Sequence, residues 1–164
     1  RAEHMETALF MCPECGGIGT LKSRGSRLQC SCGLSLEYTE EGSFETPRPF
    51  ENIAQWDDWQ HEQLRAGNFS PEGEDLFSDD GMRLVEIEEG HRQRELGRGK
   101  LRQFRDRLSC AGQDFDLASI SDMAMVQTGV LLFSREGKYY EIRTKKPHCL
   151  RKYLAVWKNS RQGE

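Results

Sequence analysis

The sequence predicts a mainly β protein with two helices. Three observations support this fold class: short runs of β-forming residues broken by glycine turns, two segments whose apolar residues recur at helical spacing, and a cluster of four of the six cysteines near the N-terminus. The chain has 164 residues, of which 36% are hydrophobic and 30% charged, and its mean hydropathy is -0.75. No run approaches the roughly 18 apolar residues of a membrane-spanning helix, which excludes a transmembrane protein.

The first predicted unit covers residues 1–47 and consists of three or four short strands. Turn signals separate the strands at Gly16 and Gly17, at residues 24–26 and at residues 40–42. A segment of about forty residues cannot stabilise itself by an apolar core alone and needs a further cross-link. No apolar secretory segment precedes the cysteines, so we expect a reducing, cytoplasmic compartment in which close cysteine pairs bind metal.

The cysteine spacing predicts a structural zinc site in a zinc ribbon. Cys12 and Cys15 are two residues apart and precede Gly16, a pattern in which two thiolates bind one ion and turn amides point at sulfur. Cys30 and Cys32 form a shorter pair, whose side chains would lie on the same side of an extended segment. We therefore assign Zn²⁺ to these four cysteines, which leave no open position for a substrate.

Two alternatives to zinc remain open for these cysteines. Because the second pair is one residue shorter than the usual Cys-x2-Cys, the thiols could be free or the site could lack a ligand. A redox pair at Cys12 and Cys15 would need a helix to begin there, whereas Gly16 and Gly17 favour a turn.

A connecting helix is predicted over residues 48–67. Asn52 is a suitable N-terminal cap, and Gly67 suits the C-terminal end. Trp56 and Trp59 are expected to pack against the ribbon or the next domain, and we treat them as inter-domain packing residues. A membrane-interface role for the two tryptophans is the alternative, but acidic neighbours would be repelled by anionic lipid.

An acidic linker over residues 68–81 and a β domain over residues 82–164 complete the predicted organisation. Strand patterns fill most of the β domain, with a hairpin about residues 135–137. A final helix begins near Pro147 and closes the domain. By element order alone, the domain is predicted to be a small pleckstrin-homology-like β-barrel, or a sheet closed by the C-terminal helix.

Charge is distributed unevenly along the chain. Residues 40–90 contain 3 basic and 15 acidic residues, whereas residues 91–164 contain 16 basic and 8 acidic residues. Phosphate groups of lipid, nucleic acid or a partner would suit the basic half. We predict an anion or lipid-phosphate contact in this half, formed by Arg98, Lys100, Arg102 and Arg105. A solvated strand face is the alternative reading.

No catalytic residue is assigned. The four histidines are scattered along the chain, and none accompanies a serine or cysteine nucleophile in a known signature. The glycines and lysine at residues 97–100 lack the full spacing of a phosphate-binding loop. The sequence therefore offers no constellation for a free-standing enzyme.

Several short motifs occur along residues 9–157. They are Leu9-Phe10-x-Cys12-Pro13-x-Cys15, Cys30-x-Cys32-Gly33, Glu41-Gly42-x-Phe44, the run from Phe50 through Trp56 and Trp59 to Gln60, Leu132-Phe133-Ser134, Tyr139-Tyr140-Glu141-Ile142 and Arg151-Lys152-Tyr153-Leu154. In this order they resemble the region C-terminal to the catalytic domain in bacterial lysophospholipid (1-acyl-glycerol-3-phosphate) acyltransferases. The resemblance implies an accessory region in phospholipid synthesis.

The resemblance also limits the expected activity. The catalytic domain of that family is marked by a His-x4-Asp motif, and none of the four histidines of this chain is followed by Asp at that spacing. We therefore expect a non-catalytic region that braces or positions its own upstream catalytic domain at the cytoplasmic face of the membrane. Enzyme activity of the parent protein stays undecided.

A second class of function is a zinc-ribbon module that binds nucleic acid or protein. Such a module interleaves basic and aromatic residues on the ribbon. The ribbon hairpin offers Lys22, Arg24 and Arg27 without an aromatic residue among them. The charge distribution therefore favours the accessory role.

Overall fold

The computed structural model describes residues 5–46, 49–69 and 73–162. The chain divides into two compact units, Arg1–Ser70 and Pro71–Glu164. Strands dominate, and the described residues contain two α-helices. The prediction of a mainly β protein with two helices is confirmed. No helix within the described ranges is both long and apolar enough to cross a membrane.

The first unit is built on a small antiparallel sheet. Its strands are β1 (Leu21–Arg24), β2 (Arg27–Cys30) and β3 (Ser35–Glu37), in that spatial order. The pairing places Leu28 opposite Leu36, and both side chains are buried with Leu21 in one core. Alternation of inward leucines with outward polar residues is what a sheet with one solvated face requires.

One α-helix, α1 (Ile53–Ala66), lies in the described part of the first unit. The Asn52 side chain accepts a hydrogen bond from the backbone N–H of Gln55 at 2.9 Å, and Gly67 ends the helix with φ of 75°. Both predicted caps are confirmed, because these residues satisfy the free backbone groups of the helix ends. Trp56, Gln60 and Leu64 lie four residues apart and form the buried face.

The second unit contains one seven-stranded antiparallel sheet and one helix. The elements are β4 (Phe77–Ile87), β5 (Gln93–Gln103), β6 (Arg107–Cys110), β7 (Gln113–Asp116), β8 (Ile120–Val126), β9 (Val130–Arg135), β10 (Lys138–Arg143) and α2 (Arg151–Arg161). The spatial order is β7-β6-β5-β4-β10-β9-β8, so the first strand of the unit is central. Glu136 and Gly137 form the predicted β9–β10 turn, both with positive φ.

The sheet is open, so the predicted alternative of a closed barrel is wrong. Strands β7 and β8 are its two edges and do not pair with each other. The chain passes between them through a short 3-10 turn, Leu117–Ser119, which separates the two edges. Helix α2 packs against β8 and this turn. The C-terminal helix therefore lies where the sheet would otherwise have closed.

Three predicted boundaries shift in the structure, the first being the start of the connecting helix, which lies at Ile53 and not at residue 48. The second unit's first strand begins at Phe77, inside the segment assigned to an acidic linker over residues 68–81, because Phe77 is buried edge-on against Tyr153 with 4.9 Å between ring centroids. Helix α2 begins at Arg151 and not near Pro147, since His148 turns its ring toward β4. Residues 47–48, at the predicted ribbon boundary, and residues 70–72 of the linker lie outside the described residues.

A buried polar cluster connects α2 to β4. The Lys152 ammonium lies 2.7 Å from Asp79 Oδ2, and the Tyr153 hydroxyl donates to the same oxygen at 2.7 Å. Asp79 Oδ1 lies 3.2 Å from Nδ1 of His148. Burial, reinforced by the Asp79 charge, raises the pKa of Tyr153 well above its ordinary value. The phenol therefore stays a hydrogen-bond donor to the carboxylate.

Removing the Lys152 amine tests this cluster. We expect Lys152→Ala to lower the free energy of unfolding by about 3–5 kcal/mol, because the buried Asp79 carboxylate loses its charged partner. The matched variant Lys158→Ala, on the exposed side of the same helix, should change it by less than about 0.5 kcal/mol. Urea unfolding measures both, and equal effects would contradict the assigned role of Asp79.

Candidate metal centre

Four cysteine side chains of the first unit meet at one point. The sulfur atoms of Cys12, Cys15, Cys30 and Cys32 all lie within 4.8 Å of one another. The Cys12–Cys32 and Cys15–Cys30 sulfur pairs are each 3.7 Å apart. A tetrahedral ion with four metal–sulfur bonds of about 2.3 Å has sulfur–sulfur edges of about 3.8 Å. The cluster therefore has the dimensions of a four-thiolate metal site.

The first cysteine pair is held in a tight loop. The N–H of Gly16 donates to the carbonyl of Cys12 at 2.9 Å, and Gly16 adopts a φ of 70° that suits glycine. The N–H of Gly17 then points at the Cys15 sulfur at 3.4 Å. These contacts give the first pair the geometry that its spacing predicted, with a backbone amide directed at a metal-binding sulfur.

The second pair reaches the site through a turn and not through an extended segment. Cys30 ends β2, and its carbonyl accepts a hydrogen bond from Gly33 N–H at 3.0 Å, where Gly33 has φ of 108°. This reversal brings the Cys32 sulfur back toward Cys12 despite the short spacing. The expectation that the pair lies in extended chain is wrong, because the chain turns immediately after the strand.

The four thiols differ in their surroundings. Cys12 and Cys30 are buried, whereas Cys15 and Cys32 are exposed. Burial raises the pKa of Cys12. Burial also disfavours the Cys30 thiolate, but the Cys32 backbone amide and a 3.1 Å contact with the Thr20 hydroxyl outweigh it and lower the pKa of Cys30 to about 6. Metal binding must release the Cys12 proton, so metal affinity rises with pH.

Helix α1 fixes the segment that leads into the first cysteine pair. The Gln60 carbonyl oxygen accepts from the N–H of Phe10 at 2.8 Å and of Met11 at 3.3 Å, while its amide donates to the Ala8 carbonyl at 2.8 Å. The Trp56 indole donates to the Met11 carbonyl at 2.8 Å. Helix side chains thus satisfy backbone groups that a neighbouring strand would otherwise bind.

The two tryptophans assigned to inter-domain packing have their described partners inside the first unit. Trp56 is completely buried, with Phe44 and Phe50 rings each 5.5 Å from its own. Trp59 is partly buried and lies 5.4 Å from Phe50. Both residues therefore join α1 to the ribbon. Sequence reasoning did not identify Gln60 as a supporting residue, although its helical spacing from Trp56 was the available signal.

The predicted anion-binding residues lie in the second unit. Arg98, Lys100 and Arg102 alternate along one face of β5, but Arg98 binds Glu95 at 2.8 Å and Arg102 binds Asp75 at 2.9 Å. The Arg98 and Arg83 guanidinium groups lower the pKa of Glu95. Among the described residues, Lys100 and Arg105 form no ion pair. Carboxylates therefore neutralise two of the four predicted anion-binding residues.

The remaining cysteines and histidines form no reaction centre within the described residues. Burial raises the pKa of Cys110 to about 12 and also raises that of Cys149, which keeps both thiols protonated and unreactive. His148 belongs to the Asp79 cluster, and His61 lies 3.2 Å from Asp57 on α1.

The contacts of Gln60 predict a measurable effect on metal affinity. Gln60→Leu removes the acceptor of the buried Phe10 and Met11 N–H groups, at about 1–3 kcal/mol for each group. We expect at least tenfold weaker metal binding in competition with a chromophoric chelator. Gln63→Leu removes the same side chain from a position on α1 that makes no side-chain hydrogen bond in the described structure. An equal loss in both variants would contradict the positioning role.

No protein-family model, curated protein or solved structure matches the chain. Within the described residues, the four cysteines lie close enough to one another to hold one metal ion.

Proposed function

We propose that this chain is a zinc-bound, non-catalytic accessory region of an acyltransferase-like protein of phospholipid synthesis. The observation that carries the proposal is the four-thiol cluster, whose sulfur atoms can fill every position around a tetrahedral ion. Such an ion stabilises a fold and has no free position for a reactant. The proposed identity of the parent protein rests on the sequence motifs that resemble acyltransferases.

Zinc is the proposed occupant because of the donor set. Four thiolates at the corners of a tetrahedron are typical of structural zinc, and soft sulfur ligands disfavour magnesium and calcium. Iron is the competing ion for four thiolates. The tight core of the first unit around the cluster, with Cys12 and Cys30 buried, supports a stabilising role.

The second unit is proposed to be a pleckstrin-homology-type module. Its seven antiparallel strands are followed by one helix, the element order typical of that arrangement. This likeness is an analogy of architecture and implies no ligand. In the proposed role, the module braces or positions the parent protein's own upstream catalytic domain at the cytoplasmic face of the membrane.

The exposed basic residues support a weak contribution from lipid phosphates. Lys100 and Arg105 are exposed and make no described ion pair, so their charges are available to an anionic surface. Arg98 and Arg102 already bind carboxylates and contribute less.

A nucleic-acid-binding ribbon is the less favoured function. Of the three basic residues of the ribbon hairpin, Arg27 binds Glu37 at 2.8 Å. The other two, Lys22 and Arg24, form no ion pair among the described residues and have no aromatic residue in the hairpin, which makes a poor platform for nucleic acid.

The coding sequence upstream of Arg1 tests the accessory role directly. Translating it in frame should give an acyltransferase-sized open frame that contains His-x4-Asp. A stop codon or a start site immediately upstream would overturn the proposal and favour a free-standing ribbon.

If the upstream frame is present, the acyltransferase activity of the whole protein is measured with and without Cys12→Ser. We expect lower activity in the variant, because loss of the metal should weaken the support of the catalytic domain.

Metal removal provides a prediction for the chain itself. Zinc analysis of the purified chain should give one ion per chain, and chelation should abolish the dispersed amide resonances of the first unit while those of the second unit persist. The reason is that metal-binding energy is folding energy for a small ribbon. Unchanged spectra after complete metal removal would contradict a structural role, and one iron per chain would contradict zinc.

A further inference from the structure

A cleft at the end of α2 is lined by two arginines: Arg105, whose charge the proposed function leaves available to lipid phosphates, and Arg161, which that function does not use. It has a volume of about 210 Å³ and is lined by Arg105, Asp106, Leu117, Ala118, Ser160 and Arg161. Three segments of the second unit form its walls: the β5–β6 turn, the 3-10 turn after β7 and the last turn of α2. We propose that this cleft binds a phosphate monoester group.

The walls of the cleft are fixed by hydrogen bonds. The N–H of Leu117 donates to the Asp106 carbonyl at 2.9 Å, which joins the two turns. On the opposite wall, the indole of Trp157 and the guanidinium of Arg161 both donate to the Ile120 carbonyl, at 3.1 Å and 2.9 Å. A cleft held in this way needs little rearrangement to bind a ligand, which reduces the entropic cost of binding.

The positions of the two arginines favour an anion with two charges. Arg161 lies 5.1 Å from the Trp157 ring centre, so stacking and one hydrogen bond orient its guanidinium while other N–H groups stay available. Arg105 is exposed and forms no ion pair among the described residues. The one carboxylate of the cleft, on Asp106, lies 3.2 Å from Arg107. Two arginines therefore line an opening whose one acidic residue, among the described residues, already lies beside Arg107.

Size and lining restrict the ligand further. A volume of about 210 Å³ corresponds to roughly seven water molecules and is smaller than the usual 300–1,000 Å³ of drug-sized pockets. A phosphate group fits two arginine forks, whereas a single carboxylate would leave one guanidinium without compensation. Leu117 and Ala118 provide an apolar wall for a short carbon chain. The chemistry is shared by soluble phosphate monoesters and by lipids with a terminal phosphate.

The cleft is tested by titrating the metal-bound chain with glycerol 3-phosphate and following arginine side-chain N–H resonances. We expect saturable shifts of Arg105 and Arg161 at millimolar concentration, and no such shifts with glycerol. Arg105→Gln together with Arg161→Gln should weaken binding at least tenfold. Arg92→Gln removes the same charge from an exposed position outside the cleft and should change binding less than twofold.

Controls separate the proposal from general electrostatics and from folding defects. Arg105→Gln alone removes a side chain without a described contact, so its effect on affinity remains interpretable if the double variant does not fold. An equal loss in Arg92→Gln, or no saturable shift, would overturn the proposal. Vesicles with phosphatidic acid or with phosphatidylglycerol distinguish the sources: preference for phosphatidic acid assigns a lipid phosphate, and binding of the soluble ester alone assigns a free one. Neither result depends on the accessory role or on the zinc.

Discussion

The first unit depends on hydrogen bonds from two helix side chains to the backbone that enters the metal centre. Gln60 and Trp56 bind the segment of residues 8–11, which has only one described β-bridge of its own, between Met11 and Ile18. Without these bonds, buried backbone groups would lie in an apolar core at high cost. The helix and the ribbon are therefore parts of one cooperative structure. A ribbon that ended before α1 would lose the hydrogen bonds from Gln60 and Trp56 to residues 8–11.

The second unit uses the same physical solution at a different place. Its helix is also joined to the sheet by a buried polar group: the Asp79 carboxylate on β4 binds Lys152 and Tyr153 of α2 and His148 just before it. Apolar packing alone is non-directional and would leave the position of a short helix on the sheet poorly defined. A carboxylate with several directional partners fixes the helix in one position, although burying these charges costs solvation energy.

Local signals predicted much of this structure, and distant partners explain what they missed. The spacing of Cys12 and Cys15 and the caps at Asn52 and Gly67 depend on neighbours within a few residues, so the sequence pattern was sufficient. The roles of Gln60 and Asp79 depend on groups about 50 and 74 residues away. Acidic composition placed Asp79 in a linker because nothing nearby in the chain indicates that a lysine and a tyrosine will surround it.

The four thiols are unequally exposed, so the metal centre has one side open to solvent and one side facing the core. Cys15 and Cys32 are open to solvent, whereas Cys12 and Cys30 face the core. When an ion is bound at the four sulfurs, a competing ligand or an oxidant in solvent would therefore meet Cys15 and Cys32 first. We expect loss of such an ion to begin at this outer pair and to end at the buried Cys12 and Cys30.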